Sequence, residues 1–149
     1  MLRKKIEDLL LSVTKPARYI GGESGSVIKN KDNISVRFAF CFPDTYDIGM
    51  SHLGMKILYS LINQRADYWC ERVFAPGIDF EKLMRENRIP LYALESLDPL
   101  SEFDFIGFTM QYELSYTNVL NMLDLAGIPI LSKDRDDKLT NIIVAGGPC

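Results

Sequence analysis

The order of segments predicts an α/β fold in which a mainly parallel sheet lies between helices in three layers, preceded by an N-terminal helix. Three observations carry this. Four short apolar runs rich in β-branched and aromatic residues recur at Ile34–Cys41, Trp69–Ala75, Phe103–Met110 and Ile142–Ala145. The segments between them repeat apolar residues every three or four positions. Strands that alternate with helices need crossover connections, and those build parallel sheets covered on both faces.

The elements follow in order. Leu2, Ile6, Leu9, Leu10 and Val13 repeat at helical spacing, so a short amphipathic helix ends before Pro16. Lys15–Asn33, with Gly21-Gly22 and Gly25, reads as an irregular connector. Residues 1–33 therefore form a helix and connector, and 34–149 the α/β unit. The first strand, Ile34–Cys41, is closed by Pro43. Met50, Leu53, Ile57, Leu58, Leu61 and Ile62 then mark one face of a helix reaching about Arg65, with Ser51 as its N-cap.

The second strand stops at Pro76-Gly77, and Asp79 is placed to cap a helix with Phe80, Leu83, Met84 and Asn87 on its buried face. A short extended piece, Leu91–Leu94, precedes the third strand. Tyr116, Val119, Leu120 and Leu123 share a face of the next helix, which Gly127 ends. The polar stretch Ser132–Asn141 leads to the last strand and the loop Gly146-Gly-Pro-Cys149. No helix follows to cover that strand, so the expectation is a unit truncated before its last helix, or one whose open face meets a partner. A homodimer through that open strand is one such outcome.

Composition narrows the function. The chain has 149 residues, 17 Lys+Arg against 20 Asp+Glu, and 47% hydrophobic residues. That composition is ordinary for one soluble domain. No apolar run approaches the roughly 18 residues of a membrane span, and Glu7 and Asp8 interrupt any signal peptide. Mild acidity without a Lys/Arg stripe argues against nucleic acid. The three cysteines, Cys41, Cys70 and Cys149, are odd in number and far apart, which points to a reducing, cytoplasmic setting rather than a disulfide framework.

In parallel sheets ligands sit at the carboxyl ends of the strands, so chemistry is expected at Pro43–His52, Thr109–Glu113 and Gly146–Cys149. Asp44 and Asp47 place two negative charges where a phosphate would need helix N–H groups, which disfavours a flavin nucleotide. A phosphoryl-accepting receiver would need an acidic residue ending the third strand, where Thr109 and Met110 stand. Nucleophilic catalysis by Cys41 or Cys149 would have only His52 as a base. At a helix start, His52 reads as a neutral hydrogen-bonded group.

A strand, then Asp44-Thr-Tyr-Asp-Ile-Gly49, a helix, and a later Ile-Ile-Val-Ala-Gly-Gly-Pro segment resemble the cobalamin-binding domains of flavodoxin-like proteins. Tyr46 stands where that family's motif has the cobalt-ligating His, and a phenol with a pKa near 10 is a poor replacement for imidazole. A wider resemblance rests on Lys15-Pro-Ala-Arg-Tyr-Ile-Gly-Gly-Glu23, Phe42–Gly54, Glu71-Arg-Val-Phe-Ala-Pro76, Gly107–Asn118 and Ala145-Gly-Gly-Pro-Cys149. Together these blocks are similar to the N-terminal region of B12-binding-type radical S-adenosylmethionine (SAM) proteins, the group labelled Fe-S oxidoreductases.

That resemblance implies a Rossmann-like or flavodoxin-like domain ahead of a radical SAM barrel, its partner in the parent chain. The [4Fe-4S] cluster and S-adenosylmethionine are expected in the barrel, because the spacing of Cys41, Cys70 and Cys149 cannot supply a Cys-x-x-x-Cys-x-x-Cys motif. The resemblance implies no catalytic residue here. Cobalamin, if held, would meet Asp44, Tyr46, Gly49, Ser51, His52, Thr109, Gln111, Gly146 and Gly147, with Tyr112 beside them. The competing expectation is an interaction domain without cofactor that packs on the barrel. A cavity opening at Pro43–Gly54 and Gly146–Gly147 would favour the first; side chains filling that cleft would favour the second.

Overall fold

A computed structural model describes residues 2–135 and 141–149. Four parallel strands, β1 (Val36–Phe42), β2 (Tyr68–Phe74), β3 (Phe105–Thr109) and β4 (Ile142–Gly146), form one sheet in the order β2-β1-β3-β4. All three pairings are parallel, with Phe38 opposite Cys70 and Phe105, and Gly107 opposite Val144. The helices are α1 (Leu2–Leu10), α2 (Tyr46–Gly49), α3 (Leu53–Asn63), α4 (Ile78–Asn87) and α5 (Tyr116–Leu125). The architecture is the three-layer, Rossmann-like or flavodoxin-like one, with the N-terminal helix in place.

Side chains alternate across a strand, so β1 and β2 each serve two cores. On one face Ala39, Cys41, Val73, Ile106 and Phe108 meet Phe80 and Met84 of α4 and Met122 and Leu123 of α5. Ile6 and Leu10 of α1 join the same cluster, which is where the stripe of the N-terminal helix finds its partner. On the other face Phe40, Phe42, Cys70 and Phe74 meet Met55 and Tyr59 of α3. Cys41 and Cys70 are therefore buried on opposite faces, and burial pushes both thiols up.

The connector is strapped to the domain. Lys15 and Arg18 both pair with Asp47 of α2. The Tyr19 hydroxyl accepts from Gly77 N at 3.1 Å, while Tyr92 Oη donates to the Tyr19 carbonyl at 3.0 Å. Tyr19 also stacks on Phe80 with ring centroids 4.2 Å apart.

Several local expectations need correction. The apolar spacing of Leu53, Ile57, Leu58 and Leu61 does not mark the buried face of α3: those residues are exposed, and the helix turns Met55 and Tyr59 to the sheet instead. Asp79 is not the cap of α4: Gly77 is, and Asp79 lies inside the first turn, where Oδ1 accepts Phe80 N and Oδ2 accepts Thr14 N, both at 2.8 Å. Asn87 is exposed, because the buried stripe of α4 ends at Met84. On α5 the buried face is Met122, Leu123 and Leu125, leaving Tyr116 and Leu120 each 45% exposed. The piece at Leu91–Leu94 holds no ladder beyond an antiparallel bridge between Tyr92 and Pro99. Of the polar stretch Ser132–Asn141, residues 136–140 lie outside the described residues. Among the described residues no helix is long and apolar enough to cross a membrane.

Candidate functional site

The connection from β1 leads to β2 on one side, and the next crosses back to β3 on the other. The switch of strand order thus falls between β1 and β3, where an open α/β sheet offers its ligand crevice. Two loops meet there. Asp44, after β1, accepts a 2.8 Å hydrogen bond from the Tyr112 hydroxyl at Oδ2 and one of 2.6 Å from Thr45 N at Oδ1. The Asp44 carboxylate pushes the Tyr112 phenol up. Asn118 Nδ2 of α5 donates to the Pro43 carbonyl at 2.9 Å, and the Gln111 amide is spent on the Thr109 hydroxyl. Between Phe42, Pro43, Asp44, Thr109, Gln111 and Tyr112 the cavity volume is ≈ 0 Å³.

The first loop divides its residues between two places. Asp44 faces β3, whereas Tyr46, the first residue of α2, turns to β2 and sets its ring edge-on to Phe74 at 5.5 Å. Burial pushes the Tyr46 phenol up, and the Glu23 carboxylate adds to it. Gly49 is buried because a methyl there would stand 2.3 Å from the Phe74 ring, so its missing side chain serves packing.

Ser51 does not cap the following helix. The chain makes a separate turn, α2, and Ser51 Oγ donates back to Asp47 O at 2.9 Å. His52 is the N-cap of α3 instead, with Nδ1 accepting Met55 N at 3.1 Å and its ring against Phe42.

Gly146 and Gly147 approach Met110, at the exit of β3. Met110 N donates to Gly146 O at 2.7 Å. At Gly147, φ is +154° and a methyl would fall 1.9 Å from Met110 O, so only glycine lets β4 lie against that backbone. Cys149 Sγ donates to the same carbonyl at 3.4 Å. The structure thus gathers Asp44, Thr109, Gln111 and Tyr112 at the switch point and sets Gly146 and Gly147 beside them. Tyr46 and Gly49 lie on the β2 side, and Ser51 and His52 at the start of α3.

Sequence reasoning passed over the buried charges of β2. Arg72 donates from Nε to Glu95 Oε1 at 2.7 Å and from Nη2 to Ser26 Oγ at 2.7 Å and Glu23 Oε2 at 3.3 Å. Arg37 Nη2 holds the fully buried Glu71 at 2.5 Å, whose other oxygen accepts Ser96 N at 2.9 Å. The available signal was Glu71-Arg72 inside an otherwise apolar strand: buried charges need partners.

A family model described as radical SAM proteins, N-terminal, matches residues 54–149, more than half of the chain. The chain belongs to that family. A curated relative, an uncharacterized protein of Methanocaldococcus jannaschii, is 29% identical over 111 residues, covering 74% of this chain and 19% of the relative. The chain thus spans about a fifth of that relative's length. No solved structure matches the chain significantly.

Whether this radical SAM N-terminal domain fits a corrin can be asked of the residues themselves. The residue at the ligand position, Tyr46, faces Phe74 rather than the crevice. Tyr112 and Asp44 bridge the gap between the loops after β1 and β3, and the ≈ 780 Å³ opening that Asp44 and Asn118 line runs instead toward Lys15, Gly77 and Asp79, away from Gly146 and Gly147. The space above Gly107 is taken by the Phe38 ring, which would lie 2.5 Å from a methyl there. As arranged, these residues do not form a cobalamin site.

Among the described residues, the radical SAM N-terminal domain leaves part of one sheet face uncovered. On the α3 side of the sheet, α3 covers β1 and β2, while β3 and β4 carry Phe105, Ile142 and Val144 toward solvent. Ile142 is 52% and Val144 43% exposed. Along the flank of α3, Leu53 is 68%, Ile57 56% and Leu61 57% exposed.

Proposed function

We propose that this chain is the non-catalytic α/β unit of a radical SAM protein, and that it packs through the bare face of α3, β3 and β4 on the rest of its parent. The observation that carries the reading is that face: an all-parallel sheet is stable when helices or a partner cover both sides, and here one side is covered only over β1 and β2. In this reading the [4Fe-4S] cluster and S-adenosylmethionine belong to the barrel of the parent. The unit supplies shape and support to it rather than a reacting group. The B12-binding reading is not adopted, because the switch-point crevice is occupied by the protein's own side chains.

The test is association in trans. The parent's barrel, produced separately, is titrated with this chain by calorimetry, and again with Ile57→Glu and Val144→Glu. Both positions are exposed, so the variants keep the fold, checked by circular dichroism. Placing a carboxylate in a desolvated contact costs about 1–3 kcal/mol or more, or roughly tenfold to a hundredfold in affinity. Unchanged association in both variants would refute the docking face.

A further inference from the structure

Away from the switch point, a cavity of ≈ 530 Å³ opens between the connector and α3. That volume lies within the roughly 300–1,000 Å³ of small-molecule sites. Val27 from the connector, Met50, Met55 and Tyr59 give it apolar walls, Arg72 closes its inner end and Lys56 stands among its lining residues on the exposed side of α3. Among the described residues no carboxylate is in its lining, and Glu23 lies behind Arg72, 3.3 Å from Nη2.

The orientation of Arg72 is fixed from behind. Glu95 takes Nε, Ser26 and Glu23 take Nη2, and the guanidinium lies 4.7 Å above the Tyr59 ring. Glu95 and Glu23 Oε2 are therefore committed to two edges of the group, while Glu23 Oε1 is buried without a partner among the described residues. Among the described residues the third nitrogen, Nη1, meets the Met50 thioether alone, at 3.3 Å. A thioether is a weak acceptor, and an arginine donor buried against one is under-satisfied. Methionine is also the side chain most easily moved aside.

We propose that this cavity is a binding site for a small amphipathic carboxylate. Its apolar body lies on Met50, Met55, Tyr59 and Val27, and its carboxylate displaces the Met50 sulfur to accept from Arg72 Nη1, with Lys56 as the second cation. A carboxylate accepts a charge-assisted bond that a thioether cannot match. An amine of the same shape offers Arg72 Nη1 no acceptor and stands beside Lys56, so it binds more weakly than the acid.

The experiment is a titration of ¹⁵N-labelled protein with 4-phenylbutyrate and, separately, 4-phenylbutylamine. The acid is expected to give saturable shifts at the amides of Gly25, Met50, Met55 and Ser60, and the amine weaker ones. Ser60→Trp, at an exposed lining position, fills the cavity and abolishes the shifts in a protein whose spectrum remains folded; Lys56→Glu weakens binding at least about threefold, the effect of one exposed charge. Shifts absent from these amides, equal shifts with the amine, or binding that survives Ser60→Trp would each overturn the proposal. Shifts confined to Leu53 and Ile57 would do the same, since they would place the acid on the bare face instead.

Discussion

The Tyr112 hydroxyl donates a 2.8 Å hydrogen bond to Asp44 Oδ2 and so joins the loop after β3 to the loop after β1. These are the two loops that part around a ligand in sheets of this topology. Here they are closed on each other, with Asn118 adding a second tie to Pro43. The domain spends its switch point on its own cohesion.

Hydroxocobalamin should therefore leave the protein unchanged in a visible-absorbance titration. Tyr46→His should not create binding either, because position 46 faces Phe74 and not the crevice. A saturable base-off spectrum with the unaltered chain would contradict the closed crevice.

The Arg72–Glu95 pair should behave as a buried ion pair. Arg72→Met leaves Glu95 without its partner in the interior and should cost about 3–5 kcal/mol in urea unfolding. Replacing both, Arg72→Met with Glu95→Leu, should recover only part of that loss, because Glu95 is no longer stranded but Glu23 and the backbone N–H of position 72 still lose their partners. Equal losses in the single and double variants would show that shape, not charge, decides.

Asp79 ties the end of the N-terminal segment to α4. The Thr14 backbone N–H, foremost, holds its carboxylate below the usual range. A carboxylate whose folded pKa lies below its unfolded value of about 3.9 stabilises the fold above that pH, and the contribution is lost as pH falls through the folded value. Asp79→Asn should thus be less stable than the parent by about 0.5–1 kcal/mol near neutrality, the scale of a partly exposed carboxylate that accepts backbone N–H groups. The gap should close below about pH 4, read from urea midpoints between pH 2 and 6.

Gly147→Ala should cost more than about 1 kcal/mol, since both the backbone angle and the Met110 carbonyl oppose a side chain. Amide exchange at β4 should speed first, because that strand is held to the sheet on one side only.

Much of the fold could be read in the sequence because apolar periodicity is dictated by burial. Runs such as Phe103–Met110 could serve no other layer. The face of α3 could not be read this way: the apolar spacing marks Leu53, Ile57, Leu58 and Leu61, whereas the helix buries Met55 and Tyr59. What could not be read was settled by groups distant in sequence. His52 caps α3 because α2 forms an extra turn and claims Ser51, and Asp79 turns inward to a backbone N–H 65 positions away. The candidate site was legible as a location, since Asp44, Thr109, Gln111 and Tyr112 do converge. Its state was not, because a polar residue beside a crevice can line it or fill it, and only the 2.8 Å contact of Tyr112 with Asp44 decides.

Hydrogen–deuterium exchange on the full parent protein tests the docking account most directly, compared residue by residue with this chain alone. Docking through the bare face predicts slower exchange in the parent at Ile142–Gly146 and along Leu53–Asn63, with α4 unchanged. Equal exchange at those two segments in both proteins would contradict it.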